Sequence, residues 1–66
     1  MVLTQKELIA LKQDVARIEH EIKDKEDILA YYRREPSMKR HIPGLENQIT
    51  GLKRARQQIQ NTIQKG

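Results

Sequence analysis

The stretch TQKELIALKQDVARIEHEIKDKEDILAYY, residues 4–32, decides the fold. Its large apolar residues at the repeating positions are Leu8, Leu11, Val15, Ile18, Ile22, Leu29 and Tyr32, and Lys25 fills the single polar gap. The steps between these positions run 3, 4, 3, 4, 3, 4, 3. That is a continuous heptad stripe, the pattern of a helix that packs along one narrow line against another helix. No Gly or Pro interrupts the chain from Thr4 to Glu35. A helix over residues 4–34 is therefore predicted, roughly 45 Å long at 1.5 Å per residue.

Both ends of this helix carry signals. Thr4 is placed to cap the N-terminus with its hydroxyl, and Glu7 three residues later completes a capping box by reaching back to the Thr4 N–H. Leu3 and Leu8 flank the cap where a hydrophobic staple needs them. Arg33 and Arg34 suit the negative end of the helix dipole. Pro36 then ends the helix, because it lacks the N–H to continue and disfavours helical geometry at Glu35.

A second stripe follows at Ile42, Leu45, Ile49, Leu52, Arg56, Ile59 and Ile63, again spaced 3, 4, 3, 4, 3, 4. Folding the chain at Ser37 pairs Tyr32 with Ile42, Leu29 with Leu45, Lys25 with Ile49, Ile22 with Leu52, Ile18 with Arg56, Val15 with Ile59 and Leu11 with Ile63. Every pair of numbers sums to 74. Two stripes that share one register about one bend predict an all-α antiparallel hairpin rather than a continuous rod. The expected layout is a single domain over residues 1–66, with a turn at 35–41 and a second helix at 42–65. Ser37 is a candidate second N-cap, and Pro43, comfortable only in a first turn, leaves two starts: near His41–Ile42, which is favoured, or a single turn from Ser37 that leads into the helix with an irregularity. Lys25 and Arg56 interrupt the stripes opposite apolar residues; their stems cover the seam while their heads reach Glu46, and Glu19 or Glu21, respectively.

Two helices bury only part of each seam residue, and a chain of 66 residues has little core to spare. A leftover apolar line offers the remedy. Ile9, Ala16 and Ala30 recur at heptad spacing beside the main stripe, and Ile28 and Tyr31 also lie off it. With Leu3 and Leu8 these residues form the expected self-association or partner face. The simplest outcome is a homodimer that closes a four-helix bundle, with a larger protein partner as the alternative.

Charge divides the chain. Residues 1–32 hold five Lys/Arg and seven Asp/Glu, whereas residues 33–66 hold eight and two. The halves are complementary, which favours their pairing, and the surplus on the second half can meet an acidic partner. Around the bend stand Tyr31, Arg33, Arg34, Lys39 and Arg40, and Lys53 and Arg54 add a basic group farther along. Cations bind phosphate and an exposed ring can stack a base. No helix-turn-helix, zinc-finger or RNP pattern accompanies them, so any nucleic-acid contact is expected to follow the backbone rather than read sequence.

Other chemistry finds no support. There is no cysteine, hence no disulfide and no thiolate metal site. His20 and His41 are far apart on the expected hairpin, and neither has a second histidine four residues away to make a metal face. The hydroxyl residues lack a positioned base, and a two-helix scaffold offers no deep, dry cleft. The expectation is a non-enzymatic protein with no cofactor and no small-molecule substrate. No apolar run approaches membrane-spanning length and no signal-peptide layout is present, so a cytoplasmic location away from membranes is expected. Charged residues at 33% against aromatics at 3% suit long exposed helices. In outline alone the expected hairpin is similar to the small helical-hairpin co-chaperones of secretion systems and to the small hairpin protein of the large ribosomal subunit. The paired seams and the leftover apolar line lead to the expectation of a structural, adaptor or chaperone-like interaction module, and the basic bend and second half keep a small nucleic-acid-binding accessory protein as the alternative.

Overall fold

A computed structural model describes residues 2–65. Helix α1 spans Gln5–Arg34, a 3-10 helix spans Pro36–His41, and helix α2 spans Ile42–Lys65. The α1 start follows from Thr4, which stays extended (φ −71°, ψ 159°) and accepts the Glu7 N–H on its hydroxyl. That bond is 3.1 Å, and the Leu8 N–H adds a 2.9 Å bond to the Thr4 carbonyl. The return half of the capping box differs from expectation. The Glu7 carboxylate accepts from the Thr4 hydroxyl at 2.9 Å, because that hydroxyl still has a proton to donate once its lone pair is engaged.

Glu35 leaves the helix in extended geometry (φ −103°, ψ 109°), which the ring of a following proline imposes. Its N–H bonds back to the Tyr32 carbonyl, and its own carbonyl accepts the Met38 N–H at 3.0 Å. This corrects two expectations. The connection is a short helix rather than a turn, and Glu35, not Ser37, holds the cap position, with no side-chain cap bond. Pro36 starts that helix with its fixed φ and no orphan N–H to satisfy. The 3-10 helix passes straight into α2 through Ile42 (φ −62°, ψ −49°), and Pro43 falls in the first turn of α2, where its missing donor costs nothing.

The two helices pack along the expected stripes. Ile22, Leu29, Leu45 and Ile49 are buried, with Ile18, Tyr32, Ile42 and Leu52 packed around them. Every seam position from Leu8 to Tyr32 and from Ile42 to Ile63 is buried or half-buried, Lys25 and Arg56 included. Two cross-helix ion pairs fix the direction: Arg33 meets Glu46 and Glu26 meets Lys53. Numbers fall on α2 as they rise on α1, so the hairpin is antiparallel. The molecule is a slender body with Cα extents of 50 × 14 × 11 Å.

Candidate functional site

Helix geometry gives the hairpin two unlike edges. At 100° per residue, the heptad positions just outside the seam lie on opposite flanks of each helix. One flank carries Glu26 and Arg33 on α1 and Glu46 and Lys53 on α2. Here the Arg33–Glu46 pair closes at 3.5 Å and the Lys53–Glu26 pair at 3.6 Å. Both pairs are about half-exposed, so each contributes only about 0.2–1 kcal/mol. Their main effect is to fix alignment. Lys25 therefore does not reach Glu46 as expected. Its seam position leans toward the opposite flank, and Glu46 is already taken by Arg33. Arg56 enters no ion pair with Glu19 or Glu21 among the described residues, and stays half-buried along the seam.

The opposite edge is open. An exposed groove of about 450 Å³ lies beside the bend on this side. Ile28, Tyr32 and Leu45 supply its apolar walls, and Lys25, Arg40 and His41 supply polar ones. Gly44 and Gln48 complete the lining, which contains no carboxylate. The Tyr32 ring sits 5.9 Å from the His41 ring and 6.1 Å from the Tyr31 ring, both tilted. These three rings form a short aromatic row at the bend. A Cβ built on Gly44 or on Gly51 meets nothing within 4 Å, so the surface along this part of α2 is unfilled.

The expected association residues divide between the edges. Leu3 and Leu8 are half-buried at the start of α1. Ile9, Ala16 and Ala30 share one heptad position on the ion-paired flank, and Ile9 is 50% exposed. Ile28 and Tyr31, 43% and 52% exposed, face the open edge by their heptad positions, and Ile28 lines the groove. A single helix face cannot present both groups.

The expected phosphate contacts are also spread out. Arg33 and Lys53 are engaged with carboxylates. Arg34, Lys39, Arg40 and Arg54 are exposed and enter no ion pair among the described residues. Lys53 and Arg54 lie about 18 Å down the axis from the bend, from the rise per residue. The amide-rich end of α2 satisfies part of itself, since Gln57 donates to Asn61 at 3.0 Å and Thr62 donates to the Gln58 carbonyl at 3.1 Å.

One pairing was missed at the level of sequence. His20 lies 3.5 Å from Asp24, one helical turn on. The four-residue spacing was the available signal. Among the described residues no group of three His, Cys, Asp or Glu is placed to hold a metal ion, and no helix is long and apolar enough to cross a membrane. No protein-family model, curated protein or solved structure matches the chain.

Proposed function

We propose that this chain is a non-enzymatic interaction module: a helical hairpin that pairs with itself into a four-helix bundle and presents its bend to a protein partner. The observation that carries the reading is an unfinished core. Among the described residues only four are buried, and no side chain falls below 2% exposure. All four lie between Ile22 and Ile49, on the half of the hairpin nearer the bend. Toward the chain ends Leu8, Leu11, Val15, Ile59 and Ile63 are only half-covered. Ile9, Ile28 and Tyr31 add apolar surface outside the seam. A second hairpin against the open edge covers Ile28 and Tyr31 and adds to the burial of the seam in the way four-helix bundles do, while Ile9 on the other flank stays outside it. Sedimentation equilibrium of the pure protein at micromolar concentration tests it. A dimer is expected, and a stably folded monomer refutes the proposal.

A second reading rests on a different observation, the uncompensated cations Arg34, Lys39 and Arg40 beside the exposed ring of Tyr31. They would grip a nucleic-acid backbone without reading its sequence. Gel shifts with single- and double-stranded DNA and RNA at two salt concentrations test this. Binding that weakens steeply with salt, and disappears in Arg33→Ala/Arg34→Ala/Arg40→Ala, supports it. The absence of a shift at low salt removes it.

A further inference from the structure

The two edges of the hairpin are not equally able to receive a second copy. The edge with Arg33–Glu46 and Glu26–Lys53 is already occupied by its own ion pairs. To dock there, a partner would displace or desolvate four charged groups, which costs free energy. The other edge offers the groove, with apolar walls from Ile28 and Leu45 and unfilled space at Gly44 and Gly51.

Charge on this edge is segregated along its length. Near the bend stand Lys25, Arg40 and His41, and no carboxylate lines the groove with them. Farther along α1, the heptad positions of the same edge hold three acids, Asp14, Glu21 and Asp24, and one base, Arg17. Asp14 is half-buried against the seam, as a flanking position should be, and Asp24 is engaged with His20. No ion pair of the described residues crosses between the helices on this edge. A surface with net positive charge at one end and net negative charge at the other complements itself when a copy is turned end for end. That is the condition for a two-fold, isologous contact.

We propose that a second copy of this chain docks on the groove edge in antiparallel, two-fold register, with the axis near Gly51. Lys25 and Arg40 of each copy then face Asp14 and Glu21 of the other. Ile28 of each copy enters apolar surface beside the other's Gly51 and Ala55, and the missing side chain at Gly51 lets the helices approach closely. The assignment rests on self-association as proposed above, and adds the edge, the direction and the pairing.

Charge reversal tests it. In Asp14→Lys/Glu21→Lys both ends of the edge carry net positive charge, and in Lys25→Glu/Arg40→Glu both carry net negative charge. Each variant alone is expected to dimerise at least tenfold more weakly than the parent by sedimentation equilibrium. An equimolar mixture is expected to recover parental affinity as a heterodimer, because one set of pairs re-forms with its parental sign and the other with exchanged sign. Lys25 is a seam residue, so Arg40→Glu alone is run beside the pair, with helicity checked by circular dichroism. The absence of native cysteine allows a second readout. Under mild oxidation Gly51→Cys is expected to form a covalent dimer and Ala30→Cys is not. If the parent is a dimer but mixing restores nothing and Ala30→Cys cross-links, the edge assignment falls while self-association stands. If the parent is a monomer, both fall.

Discussion

Single residues carry unequal weight in this hairpin. Ile22 and Ile49 are 4% and 6% exposed, and a packed isoleucine cut back to alanine costs about 2–5 kcal/mol. For so small a core, Ile22→Ala or Ile49→Ala is expected to abolish the cooperative thermal transition and most of the helical circular dichroism. Thr4→Ala, by contrast, removes one capping hydroxyl. It is expected to cost about 1 kcal/mol, and the loss of amide-exchange protection should stay within the first turn of α1. Gly51 works in the opposite direction. It lies inside α2 with no positive φ and open space where a Cβ would stand. In dilute protein Gly51→Ala is expected to stabilise the hairpin by about 1 kcal/mol, read as a rise in Tm of about 4–8 °C. Thr4, Pro36 and the seam isoleucines act through local rules, and their roles were readable from the sequence. Which carboxylate each flanking cation would choose was not. The seam pairs sum to 74, but the observed ion pairs Arg33–Glu46 and Glu26–Lys53 sum to 79. That offset comes from which flank each side chain leaves the helix on, and it places Arg33 rather than Lys25 against Glu46.

At the scale of the elements, the register is set twice, once by the apolar seam and once by the ion-paired edge. A double-mutant cycle on Glu26 and Lys53 is expected to give a coupling of about 0.2–1 kcal/mol, falling toward zero in molar salt as the charges are screened. The single charge reversal Glu26→Lys should destabilise by a similar amount, and adding Lys53→Glu should restore it. The connection shows where pattern reading stops. Pro36 and Pro43 bound a short segment, and the sequence marks where helices end and begin. It does not reveal that the residues between form a 3-10 helix, since that depends on carbonyls such as that of Glu35 finding donors three residues on. The groove escaped for a related reason. It exists because Gly44 contributes no side chain beside Ile28, Lys25 and Arg40, and those residues come from segments that meet only after folding.

For the whole molecule, stability and assembly are one question. With four buried residues and a half-covered remainder of the seam among the described residues, the proposed self-association makes the hairpin's stability a matter of mass action. Its Tm is expected to rise with protein concentration, as linkage requires when association accompanies folding. Dilution series followed by circular dichroism measure this directly, and a concentration-independent Tm would mean that the monomer carries its own stability.

The same uneven core has a mechanical consequence. Helix α1 begins and helix α2 finishes at one end of the antiparallel pair, while the buried residues cluster toward the bend. Tension applied to the two termini would peel the helices apart like a zipper rather than shear them past each other. The loosely covered contacts would part first, and Leu29 and Leu45 would be among the last to let go. A pulled hairpin should therefore lengthen at low force with a late, sharper step, and regain its length promptly once slack returns.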